Sequence, residues 1–251
     1  MFYSKKLKKI KEIKHCFFSK KNGFSKGIYK SLNCGMGSSD KKNNIIKNLN
    51  YVKKKMSLKK NSLVLMNQTH SNKVVEIKKK IIGSKKINCD AIITRIKGLG
   101  LGVVTADCVP IIVYDAKNKI IGCIHAGWKG AYSGIIKNTI IKIKKISSGN
   151  EIYASVGPCI GENSYEVDSK FYRKFLSSSK ENKKYFLRKN NKKKLFNLRK
   201  YVSDKLTDLK VKVDNVNHDT FKENHNFFSY RRSYKLKQKD YGRCISVVSL
   251  I

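Results

Sequence analysis

Residues 99–130, LGLGVVTADCVPIIVYDAKNKIIGCIHAGWKG, set the framework for interpreting the whole sequence. Three apolar runs of strand length occur in this stretch, at Leu99–Thr105, Ile111–Tyr114 and Ile120–Ile124. The last two are separated by Asp115-Ala116-Lys117-Asn118, which has the composition of a turn, so the pattern predicts an antiparallel hairpin. The segment Ala126–Gly130 follows the third run and is predicted to begin a helix.

Outside this stretch, strand-like and helical patterns are mixed without regular alternation. Further strands are predicted at Leu63–Met66, Lys73–Ile77, Ala91–Thr94, Ile152–Val156, Val211–Val216 and Ile245–Leu250, and helices at Lys41–Lys60, Tyr132–Ile146, Phe171–Leu176 and Val202–Leu209. Consecutive strands with interspersed helices indicate an α+β fold of mixed β-sheets flanked by helices. With no Gly/Ser linker and no internal repeat, residues 1–251 are predicted to form a single domain. The lysine-rich stretch Lys180–Lys194 is interpreted as a solvated loop.

The formal net charge of +39 raises the question of a nucleic-acid partner. Only seven of the 56 basic residues are arginine, the residue that phosphate and base recognition favours. Lysine, isoleucine and asparagine share AT-rich codons, so a biased genome accounts for the excess lysine. We therefore predict no specific nucleic-acid partner.

The sequence is typical of a globular protein without a membrane segment. Hydrophobic residues make up 40% of it, and no window holds the roughly 20 consecutive apolar residues that span a bilayer. The N-terminus has neither a continuous apolar stretch nor a small-residue cleavage site, which argues against a secretory signal. The seven cysteines, an odd number, are interpreted as reduced thiols, so a cytoplasmic location is predicted.

Three potential metal ligands, His70, Cys108 and His125, each stand where an apolar strand ends. Two imidazoles and a thiolate suit zinc, and three protein ligands leave a fourth position for water or substrate. The spacing matches no zinc-finger pattern, so the residues alone also fit a buried thiol and two core histidines. Asp107 adjoins Cys108 and is a candidate to orient a ligand or substrate. The glycines of Ala126–Gly130 suit either anion binding at a helix start or tight packing.

Six strings resemble those of the YfiH/laccase-domain proteins, also called the multicopper polyphenol oxidase family, which includes purine nucleoside phosphorylases. They are Ser31–Gly35, Asn67–His70, Thr105–Pro110, His125–Gly130, Gly157–Gly161 and Phe227–Arg232. They occur in the family's order over nearly the whole chain. The resemblance implies that His70, Cys108 and His125 are the zinc ligands, and that the fold is a sandwich similar to that of Cys-His hydrolase toxins.

The chain departs from the family pattern at three places. Lys20-Lys21-Asn22-Gly23 stands where the family usually has Arg-Gly-Gly, and Lys129 stands where it usually has arginine after the tryptophan. Both changes put bidentate anion binding in doubt at these positions. Asp219-Thr220 replaces a frequent Cys-Thr, so that cysteine is not essential here.

The resemblance implies purine nucleoside chemistry: phosphorolysis of adenosine, inosine and S-methyl-5′-thioadenosine, and deamination of adenosine. Asp107 and Cys108 are the candidate catalytic residues, and Gln68 is a candidate contact for base or ribose. Phosphate would be held by Lys129, Arg231 or Arg232, although the two arginines could equally be structural. The aromatic residues proposed to stack on the base, or else to form plain core, are Tyr165 and Phe228.

Other functions stay open at this stage. A peptidoglycan-editing amide hydrolase would use Cys108 as nucleophile and His125 as base, or a zinc-activated water. A copper polyphenol oxidase is disfavoured, because the chain has five histidines and multicopper centres need about ten. Copper could still replace zinc at the same ligands. A basic RNA-binding accessory protein would show steep salt dependence and no turnover. A monomer or small homo-oligomer is expected.

Overall fold

The framework consists of strands covered by helices, seen in a computed structural model that describes residues 1–79, 87–147, 151–190 and 192–251. In chain order the strands are β1 (Ile13–Phe17), β2 (Leu63–Leu65), β3 (Val74–Ile77), β4 (Ala91–Thr94), β5 (Gly100–Thr105), β6 (Val109–Asp115), β7 (Ile120–Ala126), β8 (Ile152–Val156), β9 (Glu166–Asp168), β10 (Phe186–Arg188), β11 (Lys193–Phe196), β12 (Lys212–Asn215) and β13 (Cys244–Leu250). The α-helices are α1 (Lys42–Lys55), α2 (Trp128–Tyr132), α3 (Ile135–Ile146), α4 (Ser169–Ser178), α5 (Leu198–Asp208) and α6 (Tyr230–Lys235).

The predicted hairpin is confirmed and lies at the centre of a mixed sheet. β6 and β7 pair antiparallel, with Pro110 opposite His125. Within the described ranges this sheet has the order β12-β8-β6-β7-β4-β3, with parallel pairs at its two edges. β6 is buried on both faces along its whole length, and it is apolar except at its end, where Asp115 stands. Ile111 and Val113 face the helices, whereas Ile112 and Tyr114 face a second sheet.

The second sheet has the order β1-β13-β5-β2 and packs face to face on the first. Leu101 and Val248 from this sheet share a buried cluster with Ile92 and Ile121 from the other. Helices cover both outer faces: α3 and α5 lie on the first sheet, and α1 lies on the second. The prediction of an α+β fold with mixed sheets flanked by helices is therefore confirmed. That residues 1–251 form one domain stays a prediction.

The interpretation of Lys180–Lys194 as a solvated loop is wrong over its described part, which leaves out residue 191. A 3₁₀ turn at Lys180–Tyr185 leads into β10, and β10, β11 and β9 form a small antiparallel sheet. Tyr185 and Phe186 are buried in an aromatic cluster with Phe175 and Phe196. Burial of these two aromatic rings gives the segment its ordered structure, because the side chains of the surrounding lysines can extend into solvent at the same time.

Two further details differ from the sequence interpretation. The helix predicted at Tyr132–Ile146 begins at Ile135 instead, because Tyr132 ends α2 and the intervening Gly134 has a φ of 94°, in the left-handed region that favours glycine. The strand β1 was not predicted, yet it pairs with β13 over its whole length. In the part of the chain that the structure describes, none of the helices combines the length and apolar character required for crossing a membrane.

Candidate metal centre

The three predicted ligands converge at one end of the two sheets. Cys108 lies in the short connection between β5 and β6, His125 is in β7, and His70 lies five residues after β2. Their potential ligand atoms all lie within 4.8 Å of one another. The two imidazole rings meet edge to face at an angle of 78°, with centroids 4.8 Å apart. Residues 17 to 55 positions apart in sequence thus meet because their strands end at the same edge of the sandwich.

A carboxylate that sequence reasoning missed, Asp90, organises two of these ligands. Its side chain is fully buried and accepts a hydrogen bond from Nδ1 of His125 at 2.8 Å. It also accepts hydrogen bonds from the backbone N–H groups of Thr69, His70 and Ser71, at 3.2, 3.0 and 2.7 Å. The side-chain hydroxyls of Thr69 and Ser71 donate to it as well. This pattern leaves Nε2 of His125 available to the centre and holds the left-handed turn at His70, where φ is 57°. The one feature of the sequence that could have drawn attention to Asp90 is its position directly before the buried strand β4.

The charges at the centre are strongly coupled. Burial alone would raise the pKa of the Cys108 thiol, but positive charge on His125 and hydrogen bonds from both histidines hold that pKa below its ordinary value. Burial would lower the pKa of His125, whereas the Cys108 thiolate and the hydrogen bond to Asp90 raise it. The pKa of Asp90 is well below its usual range because hydrogen bonds from His125 and Ser71 outweigh burial. The group therefore favours a thiolate, the form that binds metal.

The local backbone also fits a bound ion. A Cβ atom added to Gly127 would lie 2.9 Å from Sγ of Cys108 and 3.1 Å from Cδ2 of His70. Only glycine allows the start of α2 to approach the ligands this closely. Two imidazole nitrogens and one thiolate are a donor set that suits zinc, and His70 is exposed, which leaves an open side. These residues fit the implied metal.

Two cavities border the centre. The larger has a volume of about 520 Å³, and the smaller has about 270 Å³. Both are lined by His70, Ala106, Cys108 and Tyr241. The larger is also lined by aromatic and basic side chains, namely Trp128, Lys129, Tyr165, Tyr230 and Arg231. A ligand in either cavity would contact the candidate metal centre directly.

The predicted substrate contacts lie in three places: in the larger cavity, outside both cavities, and beside the metal centre with partners inside the protein. Lys129, Arg231 and Tyr165 line the larger cavity, together with Asp107. Arg231 donates to the carbonyl of Glu166 at 2.7 Å and lies 5.2 Å from the Tyr165 ring centroid.

Arg232 and Phe228 line neither of these cavities. The Arg232 guanidinium donates to the carbonyls of Thr220, Phe221 and Phe227, which gives it a structural role in the turn before α6. Phe228 is buried against Gly242, where an added Cβ would lie 2.5 Å from the ring. These contacts are compatible with the structural alternatives, and whether either residue contacts substrate stays a prediction.

Gln68 and Asp107 lie beside the centre but have internal partners. The Gln68 amide exchanges two hydrogen bonds with the backbone of Val104, at 2.8 and 3.0 Å. The Asp107 carboxylate accepts from Thr220, Ser229 and the backbone N–H of Arg231 at 2.7, 2.9 and 2.6 Å. Burial raises the pKa of Asp107 in spite of these bonds. Asp107 therefore fixes the start of α6, and with it Arg231, next to Cys108.

Comparison with known proteins agrees with this architecture. Residues 14–251 match the family model described as multi-copper polyphenol oxidoreductase laccase. The chain belongs to this family. A purine nucleoside phosphorylase of Rickettsia conorii is 38% identical over 204 residues, which are 79% of this chain and 84% of the relative. One of Haemophilus influenzae is 28% identical over 238 residues, 93% of each chain. The crystal structure of the Bacillus licheniformis hypothetical protein YfiH has 25% identity and a TM-score of 0.87, covering 95% of this chain and 93% of that one.

Proposed function

We propose that this chain is a zinc-dependent purine nucleoside enzyme that cleaves adenosine, inosine and S-methyl-5′-thioadenosine with phosphate and also deaminates adenosine. The observation that carries the proposal is the His70–Cys108–His125 group at the wall of an aromatic and basic cavity of about 520 Å³. This volume lies within the usual range of small-molecule sites. Family relatives named purine nucleoside phosphorylase support the substrate class.

The chain's own residues supply the binding groups. The faces of Tyr165 and Trp128 offer stacking surfaces for a purine ring. Arg231 and Lys129 offer positive charge in the same cavity, where low dielectric strengthens attraction to a phosphate dianion. When bound, zinc supplies a Lewis acid at the end of β7. Asp90 holds the His125 ring, and Asp107 holds the backbone of Arg231, so both sides of the cavity are positioned before substrate binds.

The donor count argues for one metal ion rather than a multicopper centre. Across the described ranges, His70, Cys108 and His125 form a single group of side chains arranged to hold a metal. A lone copper ion at these ligands would be a replacement for zinc, since copper binds N/S donors more tightly. The seven cysteines are all free thiols, which suits a reducing compartment, and we place the enzyme in the cytoplasm.

The test is to incubate zinc-loaded protein with adenosine or inosine, with and without phosphate, and to resolve the products by mass spectrometry. We expect free base and ribose 1-phosphate only when phosphate is present, and inosine from adenosine under both conditions. Unchanged nucleosides under both conditions would refute the purine assignment. Phosphate-dependent cleavage without inosine would remove only the deaminase part.

Methionine in place of Arg231 is expected to raise the KM for phosphate by about 10- to 100-fold with a smaller change in kcat, because it removes a charged donor from the larger cavity. Steady-state kinetics at fixed inosine measure the effect. Arg173→Met, at an exposed position on α4, is the matched control and should leave KM unchanged. A drop in melting temperature with an unchanged KM would instead show that Arg231 serves only the fold.

One observation favours a second function, amide hydrolysis by a peptidoglycan-editing enzyme. Without metal, the Cys108 thiolate is hydrogen-bonded to the His125 ring, and the Asp90 carboxylate holds the orientation of that ring through Nδ1. This is the arrangement of a cysteine hydrolase. Chelation separates the two functions. Metal removal should abolish nucleoside cleavage, whereas a cysteine hydrolase acting on muropeptides would keep or gain activity.

A further inference from the structure

A third cavity, separate from the metal centre, is lined by the N-terminal segment and by α6. Its volume is about 430 Å³, and it shares no lining residue with the two cavities at the centre. Lys20, Lys21, Lys30, His225 and Arg232 contribute to its wall. Among the described residues that line it, none is an aspartate or a glutamate. The cavity is therefore positive without an acidic counterpart in its own wall.

Lys20 is the residue of this wall that most requires a partner. It is half-buried, and its Nζ lies 5.6 Å from the ring centroid of Phe228. Its ammonium donates no hydrogen bond to any residue within the described ranges. Burial lowers the pKa of Lys20, and the charges of Arg232 and Lys30 lower it further. By contrast, the positive charge of Arg232 is stabilised by the nearby carboxylates of Asp107 and Asp219.

A second polar group lies in the same wall. Ser233 is 9% exposed and lines this cavity, and within the described ranges its hydroxyl has no hydrogen-bond partner. The hydroxyl oxygen keeps access to solvent, so it is free to donate a hydrogen bond to a ligand that enters the cavity. The adjacent Arg232 is held rigidly by its three carbonyl acceptors, which fixes this side of the cavity.

We propose that this cavity binds a phosphate dianion, either as free phosphate or as the terminal group of a phosphate monoester. A dianion would offset the unpaired charge of Lys20 and accept a hydrogen bond from Ser233. The site is also linked to the metal centre. Ser229 lies in the cavity wall and donates to Asp107 at 2.9 Å, and Asp107 precedes Cys108. Occupation of the cavity would thus stabilise the turn that positions Arg231.

Thermal unfolding of wild type, Lys20→Met and Lys47→Met at a constant ionic strength of about 0.15 M tests the site. Methionine keeps the packing of the stem on Phe228 and removes the unpaired charge. We expect Lys20→Met to melt about 2–4 °C higher than wild type without phosphate, and to lose part of the increment that inorganic phosphate gives wild type. Lys47 is exposed on α1, so its variant should behave as wild type. A lower melting temperature with an unchanged phosphate increment would overturn the proposal.

Selenate-soaked crystals of the full chain distinguish this cavity from the cavities at the metal centre. We expect an anomalous peak within hydrogen-bond distance of Nζ of Lys20 and the Ser233 hydroxyl. A peak only at the metal centre, or none, would refute the site. A comparison of glycerol phosphate with inorganic phosphate in the unfolding assay shows whether the ligand is a phosphate monoester or free phosphate. A larger Lys20-dependent increment for the ester indicates a monoester ligand, and a smaller one indicates free phosphate.

Discussion

Alanine in place of Cys108 is expected to lower phosphate-dependent cleavage of inosine by more than about 100-fold and to remove stoichiometric zinc. The thiolate is the anionic member of the ligand set, and only two imidazoles remain without it. Supporting residues around a metal typically contribute 10- to 100-fold in affinity or activity, so loss of a ligand itself should exceed that range. Metal content by mass spectrometry and kcat/KM for inosine measure the two effects.

The matched control for this experiment is Cys16→Ala, because Cys16 is a cysteine of the hydrophobic core. Cys16 is 2% exposed, and burial raises the pKa of its thiol to about 12, so it stays neutral and does not compete for metal. Its replacement should lower stability slightly while zinc content and kinetics remain those of wild type. Full activity in Cys108→Ala would contradict the proposed metal centre. Zinc retained by the variant with activity lost would point to Cys108 as a nucleophile.

The sequence was informative where local pattern and chemistry coincide. The turn at Asp115–Asn118 predicted the hairpin of β6 and β7, and this hairpin brings Cys108 and His125 to one end of the sheet. His70 was grouped with them by its place at a strand end, but only the family resemblance implied that it is a ligand, because its approach depends on pairing between β2 and β5. Non-local pairing of this kind leaves no periodic signal in a single sequence.

Composition was misleading where a few aromatic residues decide the structure. The lysines around Tyr185 and Phe186 indicated a loop, but the two rings are buried and the segment forms part of a small sheet. Arg231 and Arg232 are adjacent in sequence and were equivalent candidates for phosphate binding. They differ in the structure because α6 directs them to different cavities. Such a difference depends on helix orientation, which the residue types do not reveal.

Asp90 was missed because its function arises entirely from tertiary contacts. An acid before an apolar strand usually belongs to a turn, and nothing in the local pattern separates Asp90 from such a residue. Its importance appears only when the backbone of residues 69–71 folds onto it and His125 arrives from β7. A fully buried carboxylate with this many donors is a strong structural constraint, because an unpaired buried charge would be costly.

Asparagine in place of Asp90 is therefore expected to weaken zinc binding by about 10- to 100-fold and to lower the free energy of unfolding by about 2–4 kcal/mol. The amide has nearly the same shape, but its NH₂ group cannot accept the hydrogen bonds that backbone N–H groups now donate to the carboxylate. It also removes the negative charge that holds the orientation of the His125 ring. Competition with a chelator measures zinc affinity, and denaturant unfolding of the metal-free protein measures stability separately.

Two comparisons make the Asp90 prediction specific. Asp208→Asn replaces an exposed acid on α5 and should change neither zinc affinity nor stability by a measurable amount. In cobalt-substituted protein, Asp90→Asn should alter the absorption bands, because a less constrained His125 ring changes the ligand geometry. If the variant is destabilised yet binds zinc as tightly as wild type with an unchanged cobalt spectrum, Asp90 supports the fold alone. Weaker metal binding that persists under conditions where the variant is fully folded establishes Asp90 as a positioning residue of the metal centre.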